Sequence, residues 1–507
     1  MSLSGRIKGF VRVVPGVLLS FLVFLAIGCG GSNASGGSSG GGTPPPSNAG
    51  EWTWVGGSNQ AGSSSSLYGT YGTKGVASAT NLPGGRLYAT SWIDNSGNLW
   101  LFGGGGFDPL GKNGPYNDLW EFNPASKEWT WVSGSSAVPG NQLGIYGTEG
   151  TAASTNVPGG REGSASWIDS TGNLWLFGGD GFDSAGADNL LNDLWEFNPS
   201  TKQWTWISGS NAVNGKSVYG TLGVAAAANV PGARSQAVSW TDHSGNFWLL
   251  GGAGFDSTGN FGSLNDLWEF SPASKQWTWV SGGSALNAPG VYGTLGVAAS
   301  GNVPGSRSIA VSWTDGSGNL WLFGGLGYDS SGSENDLNDL WAFNPSTKQW
   351  TWISGSSAVT GVAPSAFCVP GVYGTEGTAA ATNVPGGRNA AVSWTDPSGN
   401  LWLFGGLGCD GSGTAGSLND LWEFSAKNKT WTWRGGSNSV GPAQGGTGGP
   451  SGTYGTQGTA AASNAPGGRA GAVSWIDPSG SLWLFGGSGH DSTGAWGQLN
   501  DLWSYTP

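Results

Sequence analysis

Short runs of large apolar residues alternating with small or polar ones recur along most of this chain, separated by turns rich in Gly, Asp, Asn and Pro. In Trp204 to Trp206 (WTW) every second residue is large, and in Ser164 to Asp169 (SASWID) the apolar Ala165 and Trp167 alternate with Ser164 and Ser166. That period of two marks a strand with two distinct faces. A continuous apolar run, LWLFGG or a near copy, follows each SASWID-like run across a D-x-SGN turn. Next comes NDLW, and after an NPxxK turn comes WTW. The pattern predicts units of four short antiparallel strands, an all-β chain.

The units repeat in register. A PG-x-R motif places arginines at Arg86, Arg161, Arg234, Arg307, Arg388 and Arg469, with steps of 75, 73, 73, 81 and 81 residues. NDLW ends at Trp120, Trp195, Trp268, Trp341, Trp422 and Trp503. Four-stranded units repeated around an axis make a β-propeller. The phase of the repeat adds a detail. A WTW at Trp52 to Trp54 precedes the first arginine, whereas none follows Trp503. Six outer strands match six inner sets only if Glu51 to Val55 serves as the fourth strand of the last unit. The expectation is therefore a six-bladed propeller over residues 51–507, closed by its N-terminal strand, which also removes two exposed sheet edges.

The arginine-led strand, the apolar strand ending in Gly-Gly and the Trp-bearing outer strand resemble kelch repeats, over essentially all of the chain from Glu51 onward. The resemblance implies the galactose oxidase/kelch-like superfamily of propellers, in which such arginines can contact ligands. These units exceed the usual kelch length by about 25 residues. The excess lies between WTW and the next arginine, typically as YGTxGxAAxxNVPGGR. Loops of that length are usually functional or packed by their own side chains.

Composition sharpens this picture. The chain has 97 Gly and 31 Trp in 507 residues, with only 10% charged. Glycine at that level suggests disorder, but so many large rings require burial. Repetitive β-structure with glycine turns satisfies both. Five tryptophan positions in six units explain 30 of the 31, so tryptophan abundance is packing and not a glycan signal. The exception is Trp496.

The N-terminus reads as a targeting segment. Arg6, Lys8 and Arg12 precede an apolar core, VLLSFLVFLAIG, that ends at Cys29. The arrangement resembles a bacterial lipobox: a signal peptide over 1–28, lipid on Cys29, then a Gly/Ser/Pro-rich tether over 29–50. Gly30 after the cysteine points to the outer membrane or cell surface. Removing three of the 19 basic residues and none of the 31 acidic ones leaves 16 minus 31, a charge of −15. Such a field repels phosphate backbones and argues against nucleic-acid partners. A monomer is expected.

Strand order puts the tight D-x-SGN and NPxxK turns on one face, and the YGT loops and GFDSxG loops on the other. Binding is expected on the long-loop face. The six arginines would open the innermost strands there and ring the channel mouth, where guanidinium groups can hold carboxylates or sulfates. Alternatively, each pins its own loop, and identical placement in six units favours that role. Asymmetric recognition has to be written where the units differ, just after the arginines. Tyr88, Glu162 and Gln236 carry the binding chemistry there, and Trp496 is a further platform on the same face. Cys368 and Cys409 both map to that face of the fifth unit, and an exported chain is expected to join them as a disulfide. No metal or cofactor is implied. The two histidines, His243 and His490, fall on opposite faces and in different units, which argues against copper chemistry of the galactose oxidase type. The expected function is a non-catalytic scaffold for a protein or glycan. The alternative is a small sugar-modifying enzyme resembling the kelch-type sialic-acid mutarotases.

Overall fold

A computed structural model describes residues 50–61, 67–107, 113–136, 142–359, 367–441 and 448–507. The expected signal peptide, Cys29 and most of the tether lie outside the described residues. Among the described residues there is no α-helix, and the strands form seven antiparallel sheets consistent with a propeller.

The second repeat shows the plan. Ala165–Ile168 lies innermost, followed outward by Leu174–Phe182, Asp188–Asn198 and Gln203–Ser208. A two-residue strand, Arg161–Glu162, pairs with the far half of Leu174–Phe182. Four sheets repeat this arrangement. The first repeat divides into two smaller sheets, and the last gains the N-terminal strand.

The middle strands are longer than the sequence pattern indicated, nine and eleven residues. They run through the Gly-Gly pair, with a register shift between Phe177 and Gly179. The connection expected as a long loop is thus mostly strand, and it closes in a turn at Asp183 to Gly186, the later part of GFDSxG. Glycine is required at the kink. Gly178 has φ 63°, and a Cβ there would strike the carbonyls of Arg234 and Leu191. The bulge lets one repeat approach the backbone of the next.

The core lies between successive repeats. Six clusters of buried residues each join two neighbours. One packs Trp167, Trp175 and Phe177 against Phe247, Leu249 and Trp268. Another packs Leu99, Leu101 and Trp120 of the first repeat against Val473, Trp475 and Trp483 of the last. Indole N–H groups also link neighbours: Trp92 donates to the Trp175 carbonyl, Trp167 to Trp248, and Trp475 to Trp100. That satisfies a buried donor that would otherwise be costly.

The N-terminal strand Glu51–Gly56 pairs antiparallel with Trp496–Thr506, setting Trp52 opposite Tyr505 and Trp54 opposite Trp503. Its outer edge is covered like those of the other repeats. In each repeat the YGT loop runs along the fourth strand: Gly150 N donates to the Trp206 carbonyl, and Asn156 Nδ2 to that of Trp204. In the last repeat Gly458 N and Asn464 Nδ2 donate to Trp54 and Trp52. These long loops therefore protect sheet edges, which is why every repeat keeps one.

Candidate functional site at the channel mouth

Of the two roles open to the six arginines, burial and pairing match the structural pin. Arg86, Arg161, Arg234, Arg307, Arg388 and Arg469 are buried, each 0–1% exposed. Arg161 shows the common pattern. Nη1 and Nη2 hold both oxygens of Asp193 at 2.6 and 2.8 Å, Nη1 also reaches the Gly178 carbonyl, and Nε reaches that of Gly159. Tyr146 Oη and Trp195 Nε1 donate to the second oxygen of Asp193. The same Arg–Asp–Tyr–Trp cluster recurs with Asp118, Asp266, Asp339, Asp420 and Asp501. Burial works against the guanidinium charge, and the paired aspartate more than offsets it, leaving the Arg161 pKa raised. Burial and then Asp193 push the Tyr146 phenol well above its ordinary range. Four of the five N–H donors of Arg161 are taken by these bonds, and the buried guanidinium is not presented to a ligand.

What does occupy the mouth is a circuit of backbone hydrogen bonds two residues beyond each arginine. Tyr88 N donates to Gly471 O, Gly163 N to Tyr88 O, and Gln236 N to Gly163 O. Ile309, Ala390 and Gly471 continue the circuit. All six residues have positive φ, including 57° at β-branched Ile309. Such a residue in the left-handed region is an outlier, held there by surrounding structure. The circuit fixes where the variable side chains emerge.

Tyr88, Glu162 and Gln236 are thus brought to one aperture. The Tyr88 ring lies against Gly471, and Glu162 extends over Gly105 of the neighbouring repeat, where a Cβ would collide with its carboxylate. Two further residues join them. Asn389, the residue after Arg388, donates from Nδ2 to Asp336 Oδ1 at 2.6 Å. Burial pushes the Asp336 carboxyl up to about 7, although the Asn389 bond pulls the other way. Burial, then Glu162 and Asp336, raise the Tyr88 phenol. Phenol and carboxyls from the first, second and fourth repeats therefore share one electrostatic environment. Asp336 lies on the strand Glu334–Asn344, away in sequence from any arginine, so the residues beside the arginines do not point to it. Its counterparts, Pro115, Leu190, Ser263, Ser417 and Gln498, differ just as widely.

No protein-family model matches this chain, and no curated protein matches it.

The remaining sequence expectations fall elsewhere. Trp496 begins the strand Trp496–Thr506 opposite His490 and is 39% exposed, outside the backbone circuit. Cys368 and Cys409 are joined by a disulfide. His490 is buried at a strand end and not in a loop, with Nδ1 3.1 Å from the Gly494 carbonyl. Among the described residues no group of three or more His, Cys, Asp or Glu is placed to hold a metal ion.

Asp336 gives the site a pH signature. Its folded pKa lies above the unfolded carboxylate value near 4, so between those values the folded state holds the extra proton. Stability contributed by this group is present at low pH and is lost as pH rises toward about 7. Asp336→Asn keeps the acceptor for Asn389 and removes the ionisation. The variant is expected to be more stable than the parent at pH 8, by about 1–3 kcal/mol given partial exposure at the aperture. The difference should vanish near pH 4, as read by urea unfolding at both values.

Proposed function

We propose that this chain is a six-bladed kelch-type propeller, closed by its N-terminal strand, exported and held at the cell envelope by a lipid on Cys29. It serves there as a non-catalytic scaffold whose ligand, a glycan or a protein, docks at the channel mouth on the long-loop face. The pairing of Glu51–Gly56 with the last repeat and the six inter-repeat cores support closure. The kelch reading rests on the arginine-led strand, the Gly-Gly strand and the Trp strand of each repeat. One observation carries the binding reading: a scaffold that repeats its core almost residue for residue differs at the mouth, where Tyr88, Glu162, Gln236, Asp336 and Asn389 gather.

A glycan array on the mature protein tests this, with Tyr88→Ala and Glu162→Gln as site variants and Trp496→Ala marking the outer rim. Binding lost in the first two variants supports the mouth. Binding lost only in Trp496→Ala moves the site outward, and no binding by the parent removes the carbohydrate version.

One observation favours the enzyme as a second reading. Asp336, pushed up to about 7, sits within electrostatic reach of Tyr88, which Glu162 also reaches. A carboxyl that titrates near neutrality is suited to passing a proton at a sugar ring. Anomer exchange of N-acetylneuraminate followed by NMR separates the two. The scaffold gives the buffer rate, whereas the enzyme accelerates exchange and loses the acceleration in Asp336→Asn.

A further inference from the structure

A cavity of about 390 Å³ runs along the axis on the side away from the mouth. Three consecutive positions of each innermost strand line it: a serine, a tryptophan and a β-branched residue, as in Ser91, Trp92 and Ile93. The lining stops at the serine row. Beyond that row lies the backbone circuit carrying Tyr88, Gln236 and Ile309. The cavity is therefore a well that opens on the face of the tight turns.

Its outermost row is not symmetric. Ile476, Ile93 and Ile168 come from three successive repeats, counted across the junction of last and first, and Thr241, Thr314 and Thr395 from the other three. Isoleucine and threonine are both β-branched and suit the same strand backbone equally. The fold does not require this segregation, yet it gives the well one hydrocarbon wall and one hydroxyl wall.

The hydroxyl wall also has an opening in its hydrogen bonding. Ser312, Ser393 and Ser474 each donate to the serine carbonyl of the preceding repeat, and Ser91 and Ser166 do likewise. Thr314 and Thr395 donate to the preceding threonine carbonyls. In the third repeat neither Ser239 nor Thr241 has a side-chain hydrogen bond, and both line the well. No charged side chain lines it. Asp94 and its five counterparts follow the outermost row, their carboxylates held by their own turns and by an indole N–H, so the rim carries negative charge.

We infer that this well is a binding site for a small uncharged polyol, of monosaccharide size, with its hydroxyl edge on Ser239 and the threonines and its C–H face on the isoleucines. The volume falls within the range of small-molecule sites, roughly 300–1,000 Å³. A hydroxyl that both donates and accepts matches free serine and threonine hydroxyls. The aspartate rim disfavours anions. This site lies on the opposite face from the mouth and uses none of its residues, so either can fail without the other.

Saturation-transfer NMR and calorimetry on the mature protein test it, with D-glucose, D-galactose and myo-inositol as neutral probes and N-acetylneuraminate as the anionic one. At least one neutral probe is expected to bind saturably in the millimolar range, and N-acetylneuraminate is not expected to reach the well. Ile93→Thr/Ile168→Thr/Ile476→Thr installs the residue of the other three repeats and should weaken binding by about tenfold or more. Ser239→Ala, a single change that removes one unpaired hydroxyl, should weaken it as well, while Tyr88→Ala leaves it unchanged. Failure of all three neutral probes at tens of millimolar overturns the inference. So does binding that survives both well variants, or binding that Tyr88→Ala abolishes.

Discussion

Arg161→Ala is expected to destabilise the protein by about 3–5 kcal/mol, the usual cost of removing one partner from a buried ion pair. The loss leaves Asp193 charged at 0% exposure, with only Tyr146 and Trp195 as donors. Arg161→Lys should recover little, because an ammonium cannot span both carboxylate oxygens and the carbonyls of Gly159 and Gly178. Replacing both partners by apolar residues is often tolerated in buried pairs. Here it should not be, since removing Asp193 strands the Tyr146 hydroxyl and the Trp195 indole. Arg161→Met/Asp193→Leu is therefore expected to unfold at nearly as low a denaturant concentration as Arg161→Ala. A double variant as stable as the parent would mean that the cluster is held by something other than the aspartate.

The second large effect concerns the N-terminus. Trp52 packs against Phe404 at 5.3 Å, Tyr505 at 5.1 Å and Trp503 at 6.4 Å between ring centroids. Trp204 holds the equivalent place in the second repeat, beside Phe102, Trp195 and Phe197. If the N-terminal strand is the fourth strand of the last repeat, Trp52→Ala and Trp204→Ala should cost alike, each about 3–5 kcal/mol. A terminal flap would lose far less, so a Trp52→Ala variant unfolding at the parental denaturant concentration would count against the pairing.

Much of the architecture was readable because the repeats are in register. The period of the arginines, the alternation in SASWID and the unmatched WTW at Trp52 together gave the strand units and the place of the N-terminal strand. The partner of the arginine is marked by a spacing. Each arginine stands 32 residues before its aspartate, and each aspartate 47 residues after its tyrosine, although the repeats vary between 73 and 81 residues. A spacing that stays constant while lengths vary marks residues that must meet. The role of the YGT loops was not legible, because edge protection uses backbone donors that any residue supplies. The Asp336–Asn389 contact was not legible either, since it joins two repeats through residue types that the corresponding positions of the other repeats do not share. The arginine was the most repeated feature and became structural, whereas the mouth is defined by what is not repeated.

The closed ring is the claim on which the mouth and the well both depend, and a disulfide trap tests it most directly. Thr53 and Ser504 are register partners between the N-terminal strand and the last repeat. Cysteines at Thr53 and Ser504 are expected to crosslink rapidly under mild oxidation without loss of the native unfolding transition, while cysteines at Thr53 and Thr130 of the first repeat stay free. Crosslinking of the second pair and not the first would place the N-terminal strand on the first repeat and contradict the ring.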